Sequence, residues 1–119
     1  VKESALIRLI RDRYRYDPTL KLFRTNVVPK VFNTRYYNKT RQCWVEKKAF
    51  AESLPKGFAD LLGILRPSGR AIFIETKVND NNQNIDQKAF QDLVESQGAI
   101  YILARSLEDV ENRINSLKS

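Results

Sequence analysis

Ala71-Ile72-Phe73-Ile74-Glu75-Thr76-Lys77 is the stretch that decides the fold. An apolar, β-favouring run leads into a glutamate, and side chains alternate along a strand, so Glu75 and Lys77 project to the same face. Upstream, Asp60 precedes a second apolar run, Leu61-Leu62-Gly63-Ile64-Leu65. The two runs are joined by Arg66-Pro67-Ser68-Gly69-Arg70, whose Pro-Ser-Gly signals a hairpin. A hairpin folds the second run back on the first and predicts that Asp60 comes alongside Glu75 and Lys77 at one end of a sheet.

Outward from this pair, Val78 to Asn84 is rich in Asn and Asp and is predicted as a loop. Gln87 to Gln97 is predicted as a helix with Phe90, Leu93 and Val94 inward and Gly98 at C′. Ala99 to Ala104 is a nearly continuous apolar run, as expected of a strand covered on both faces. Strand, helix, strand from Ala71 to Ala104 is a crossover unit, which makes its two strands parallel. Ser106-Leu107-Glu108-Asp109 resembles a capping box opening a last helix. At the other end, Glu3 to Tyr16 carries an apolar stripe of Leu6, Ile7, Leu9, Ile10 and Tyr14, closed by Asp17-Pro18. Lys21 to Val28 and Val31 to Tyr37 read as extended, separated by Pro29. The basic and aromatic stretch from Asn33 to Lys48 leaves two options open: a hairpin with a connecting loop, and a short helix within Val45 to Ser53. The expectation is one domain, residues 1–119, of the α/β class, with a central mixed sheet flanked by helices.

Composition narrows the chemistry. The chain has no histidine, which excludes a Ser-His-Asp triad, a Cys-His pair and His-ligated zinc. A single cysteine, Cys43, excludes an internal disulfide and a cysteine-rich zinc site, and suggests a reducing, intracellular setting. There is no methionine, position 1 included, so a segment is expected to have preceded Val1. No apolar run is long enough to span a membrane. The net charge of +7 is uneven: before Gly57 stand 14 Lys and Arg against 5 Asp and Glu, and from Gly57 onward 7 against 9. A basic half beside a slightly acidic half suits a polyanion-binding surface next to a cation site.

Hydrolytic chemistry in such a chain must run on carboxylates, lysine and a hard metal ion. Mg²⁺ and Mn²⁺ take oxygen ligands, commonly one or two carboxylates with waters and substrate phosphate. Asp60 and Glu75 supply carboxylates, and the Thr76 carbonyl is a candidate third oxygen. Lys77, on the face of Glu75, is placed to orient an attacking water or to stabilise charge developing on phosphorus. The competing reading makes Glu75 and Lys77 a solvated pair on an exposed strand face. The apolar neighbours on both sides argue against it, because buried charges need partners.

Asp60 with Glu75-Thr76-Lys77 resembles the PD-(D/E)XK nuclease signature. More narrowly, the chain resembles the virus-type replication-repair nuclease (VRR-NUC) domain of standalone type. The resemblance rests on Glu3, Phe23-Arg24-Thr25-Asn26, Gly57-Phe58-Ala59-Asp60, Ile74-Glu75-Thr76-Lys77, Gln87 and Gly98-Ala99-Ile100-Tyr101. It covers nearly the whole chain, with Lys30 to Pro55 matched least. Ala59 stands where that family usually has proline, which bears on local strand geometry more than on metal binding. The resemblance implies a restriction-endonuclease-like core of αβββαβ order with an added C-terminal helix. It also implies an Mg²⁺- or Mn²⁺-dependent endodeoxyribonuclease cutting branched DNA such as Holliday junctions, acting as a homodimer. The setting it suggests is the cytoplasm of a bacterium or phage-infected cell, with the nucleus as an alternative. Rival readings are a restriction-type duplex endonuclease and a non-catalytic nucleic-acid-binding module of the same fold.

Two further residues carry double readings. Glu3 suits a helix N-terminus electrostatically, and the resemblance makes it an additional metal-shell carboxylate. Gln87 fits a capping box with Asn84 as N-cap, and the resemblance places it at the active site. Arg24, Lys30, Arg35, Lys39, Arg41, Lys47 and Lys48 are candidate DNA-phosphate contacts. Tyr36, Tyr37 and Trp44, interleaved among them, suit base stacking. Packing on the sheet or in a dimer interface is the alternative, and the preferred one for Trp44.

Overall fold

A computed structural model describes residues 2–25, 31–50 and 54–118, with the backbone alone at 31–34 and 48–50. The elements in chain order are α1 (Glu3–Tyr14), β1 (Leu20–Arg24), β2 (Val31–Asn38), β3 (Cys43–Phe50), β4 (Leu61–Leu65), β5 (Arg70–Thr76), α2 (Ile85–Ser96), β6 (Ile100–Ala104) and α3 (Leu107–Lys118). They form a four-stranded sheet of order β1-β4-β5-β6 and a separate two-stranded ribbon, β2-β3. The expected hairpin is present: β4 and β5 are antiparallel, with Leu61 opposite Ile74 and Leu65 opposite Arg70. The crossover is present too, β5 and β6 being parallel with Glu75 beside Leu103.

Alternation along β5 and β6 builds two cores. Ile72, Ile74, Ile100, Ile102 and Ala104 pack with Leu6, Ile7, Ile10 and Tyr14 of α1 and Val110 and Ile114 of α3. On the opposite face Tyr101, Phe73 and Leu103 meet Phe90 and Val94 of α2, together with Ala59. Phe58, Phe73 and Phe90 form a mutual aromatic cluster with centroid separations of 4.6 to 5.6 Å, tying the segment before Asp60 to α2. Arg13 to Glu111 at 3.1 Å joins α1 to α3, and Lys118 to Asp17 at 3.1 Å joins α3 to the turn after α1. Helix α2 leaves the β1-β4 half of its face open, where Phe23 and Ile64 are exposed. Among the described residues no helix is long and apolar enough to cross a membrane.

The observed order departs from αβββαβ by the two strands of the ribbon. With these set aside, the four-stranded sheet and its helices follow one another as α1, β1, β4, β5, α2, β6, α3. Of the two options for the basic stretch the hairpin is found. Cys43–Phe50 is a strand paired residue for residue with Val31–Asn38, and the short helix is absent from its described part. Valine, tryptophan and phenylalanine favour a pleated surface, and Asn38 makes the turn, its Oδ1 accepting from the backbone N–H of Thr40 and of Arg41 at 3.0 Å each. Trp44, for which packing on the sheet or in a dimer interface is the preferred expectation, is 61% exposed and so does not pack on the four-stranded sheet. Helix α1 ends at Tyr14 rather than Tyr16, and α2 starts at Ile85, two residues before Gln87.

A candidate acidic centre at one end of the sheet

Carrying the β4-β5 register one step beyond Leu61 and Ile74 sets Asp60 opposite Glu75, on the face covered by α2. Both are buried, with 9% of Asp60 and 3% of Glu75 exposed. Asp60 is held from β5: the backbone N–H of Thr76 and its hydroxyl Oγ1 both donate to Asp60 Oδ2, at 2.9 and 2.7 Å. It is also held from the residue that follows β1, where the Thr25 N–H donates to the Asp60 carbonyl at 3.0 Å and the Thr25 hydroxyl donates to the Ala59 carbonyl. Ala59, where a proline would be usual for the resembled family, is fully buried against Val94 and Tyr101.

Glu75 is held from α2. Gln87 Nε2 donates to Glu75 Oε1 at 2.9 Å, while Gln87 Oε1 accepts from the Asn84 N–H at 3.0 Å and Asn84 Oδ1 accepts from the Gln87 N–H at 2.8 Å. The two readings of Gln87 are therefore compatible: one amide closes the capping box through its oxygen and reaches Glu75 through its nitrogen. The second oxygen, Glu75 Oε2, is buried with no hydrogen-bond partner. Burial drives the Glu75 carboxyl up from its ordinary 4.5 to about 8, with Asp60 and Glu3 adding to the rise and Lys77 and the Asp60 backbone N–H opposing it. Two carboxylates and a third nearby thus repel one another in a poorly solvated place, and a cation is what would relieve them.

Of the expected residues, Asp60, Glu75, Thr76, Gln87 and, through its charge, Lys77 converge here. Lys77 is half-buried, and its N–H donates to Ala104 at 3.0 Å, continuing the β5-β6 pairing. Glu3, half-buried at the start of α1, is near enough to act on Glu75 electrostatically. Among the described residues, no three Asp, Glu or Cys side chains are drawn together as a ready metal-ligand set. The fit to a divalent ion therefore rests on Asp60 and Glu75 and on the orphaned Oε2. Arg24 pairs with Leu61, next to Asp60, and belongs to the same end of the sheet. Arg35, Lys39, Arg41 and Lys47 belong to the ribbon, with exposed side chains. Lys48 lies there by its backbone, and Lys30 falls outside the described residues.

Sequence reasoning gave no role to the Thr76 side chain, to Thr25 or to Gly57. The hydroxyls act only through partners distant in sequence. Gly57, at φ +85°, brings the chain so close to α2 that a Cβ would sit 2.3 Å from the Asp86 carbonyl oxygen. A network beside the site was also missed: Gln83 Nε2 donates to Gln91 Oε1 and to the Tyr101 hydroxyl, each at 3.0 Å. Burial is the main reason the Tyr101 phenol is pushed up to about 12. No protein-family model and no curated protein matches this chain.

Proposed function

We propose that this chain is a divalent-metal-dependent nuclease of the PD-(D/E)XK type, akin to VRR-NUC domains, hydrolysing phosphodiester bonds in DNA. The observation that carries the reading is the buried carboxyl pair, Asp60 and Glu75, with an unpartnered Glu75 Oε2 and an elevated proton affinity. Buried acids that repel one another are costly in a purely structural role, and a hard cation is their natural complement. Asp60 and Glu75 would hold Mg²⁺ or Mn²⁺, with the Thr76 carbonyl and Glu3 as supplementary oxygen donors. Such an ion, when bound, supplies positive charge at a phosphate and lowers the pKa of water. Thr76 and Thr25 fix Asp60, and Gln87 fixes the Glu75 carboxylate plane. Lys77, on the Glu75 face, balances the acids and meets charge on the scissile phosphate.

Branched DNA, Holliday junctions included, is the favoured substrate on the strength of the sequence resemblance, with a homodimer giving one site per strand. A second reading, a nucleic-acid-binding module without catalysis, is favoured by the lack of a three-acid cluster among the described residues. The deciding experiment incubates labelled four-way junction, flap, single-stranded and linear duplex DNA with Mg²⁺ or Mn²⁺, beside Glu75→Ala and Lys77→Ala. Metal-dependent cleavage lost in both variants supports the nuclease. Cleavage that survives chelation, or persists in Glu75→Ala, rejects the metal centre, and binding without cleavage on every substrate selects the module.

A further inference from the structure

The β2-β3 ribbon is unlike the rest of the molecule. Its register runs unbroken from Val31 opposite Phe50 to Asn38 opposite Cys43. Cross-strand partners share a face, so Arg35, Tyr37, Trp44 and Glu46 lie on one side and Tyr36, Val45 and Lys47 on the other. All of these but Val45 are exposed, so neither side is buried against the four-stranded sheet. The extents of the molecule, 66 × 35 × 29 Å, fit a ribbon that stands off the body.

An isolated two-stranded hairpin is marginal in water, and this one is kept in shape locally. The Asn38 turn orders its tip, Tyr37 meets Trp44 edge-on at 5.7 Å, and the Arg35 guanidinium sits 5.6 Å from the Trp44 ring centre. Residues 31–50 carry five Lys and Arg against one acid, Glu46. A second copy of such a ribbon would bring like charges together, whereas a polyanion is complementary.

We propose that the β2-β3 ribbon is a DNA-binding arm. It lies along duplex DNA, whose major groove of about 12 Å admits a two-stranded ribbon. Lys39 and Arg41 at the ordered tip contact phosphates, and the Arg35-Trp44-Tyr37 ladder packs against nucleotides. The arm deepens the nuclease reading by naming what grips the substrate, and so rests on DNA being the substrate. Its binding role is separable from catalysis.

Binding of a labelled duplex is measured by fluorescence anisotropy in chelator, over a range of salt concentrations, so that no cleavage enters. Removing one cation from a phosphate lowers the slope of log affinity against log salt by about 0.9. Lys39→Ala with Arg41→Ala is therefore expected to flatten the slope by about two and weaken binding on the order of tenfold. Trp44→Ala is expected to weaken binding several-fold with the slope unchanged, because losing an uncharged contact in the groove alters no counterion release. Arg113→Ala, which removes an exposed cation on α3, is the control and leaves both unchanged. Unfolding curves matching wild type keep a binding loss from being a folding loss.

Unaltered affinity and slope in the tip double variant overturn the proposal. So does a wild-type dimer that becomes monomeric in Trp44→Ala while DNA affinity holds, which assigns the ribbon to a second copy. If the nuclease reading fails instead, DNA stays uncut with Mg²⁺ while the metal-free binding differences remain.

Discussion

The acidic end of the four-stranded sheet and the β2-β3 ribbon solve opposite problems. The first takes charges that water would stabilise and buries them, so each carboxylate must be held by a named partner: Thr76 on Asp60, Gln87 on Glu75. The second leaves its charges in water and needs only a turn and an aromatic pair to keep its shape. Buried geometry specifies chemistry at one point, whereas exposed charge specifies affinity along a surface. A single substitution should therefore matter far more at the sheet end than on the ribbon.

Cleavage rate gives the largest expected separation. Asp60→Asn or Glu75→Gln is expected to reduce turnover on the order of 10³-fold or more, comparable with removing a main electrostatic stabiliser of a transition state. Gln87→Ala, which acts through Glu75, is expected to cost roughly 10- to 100-fold, the range for groups that orient ligands. Lys39→Ala with Arg41→Ala is expected to keep turnover at saturating DNA and to raise KM. Single-turnover assays over a range of DNA concentrations separate the two patterns, and a ribbon variant that loses turnover at saturation would erase the distinction.

The pH dependence of stability tests the same contrast without DNA. Glu75 in the folded protein holds its proton up to about 8, against an ordinary 4.5. The folded state thus binds more protons than the unfolded one between these values. The stabilisation from Glu75 is complete below 4.5 and lost as pH rises through about 8. Metal-free wild-type protein should weaken over that window in denaturant titrations, and Glu75→Gln should flatten the profile. Added Mg²⁺, which binds the carboxylate form, should restore stability at the alkaline end. A metal-free profile identical in wild type and Glu75→Gln would mean that Glu75 is solvated.

Thermal unfolding separates core from ribbon next. Ile72 of β5 is fully buried in the core shared with α1 and α3, and Ile72→Ala is expected to cost about 2–5 kcal/mol. Trp44→Ala, for all the surface it removes, should stay within about 0.5 kcal/mol, the usual range of exposed substitutions. A larger Trp44 effect would show the ribbon to be part of the cooperative fold.

Local pattern made the sheet legible and left much of the site hidden. Ile72 and Ile74 alternating with Phe73 and Glu75, the Pro-Ser-Gly connection and the apolar run at Ile100 were enough to place the hairpin and the parallel crossover. The meeting of Asp60 with Glu75 then followed from register. The grip of Thr76 Oγ1 on Asp60, of Thr25 on Ala59 and of Gln83 on Tyr101 joins residues far apart in sequence, and no periodicity reports it. Gln87 was ambiguous because it makes both contacts, the helix cap and the bond to Glu75, through different atoms of one amide. The ribbon was hardest to read, since with neither side covered its strands lack the apolar-polar alternation by which a strand is recognised.

A last comparison sets side by side two glycines that share a backbone conformation and differ in surroundings. Gly57 and Gly98 have φ of +85° and +89°, so alanine at either must adopt a left-handed backbone, at roughly 1–2 kcal/mol. A Cβ added at Gly98 would meet nothing within 4 Å, and Gly98→Ala should cost no more than that in denaturant titration. At Gly57 a Cβ would meet Asp86 O at 2.3 Å and Gln87 N at 2.9 Å, both backbone atoms, so the start of α2 must retreat. That clash adds to the backbone cost, so Gly57→Ala is expected to be clearly the more destabilising of the two. Retreat of α2 also draws Gln87 Nε2 away from Glu75 Oε1, a 2.9 Å contact with little slack. Gly57→Ala should therefore lower cleavage as Gln87→Ala does, while Gly98→Ala leaves it intact. Equal stability losses and intact cleavage in both variants would show that the approach of Gly57 to α2 does not govern the site.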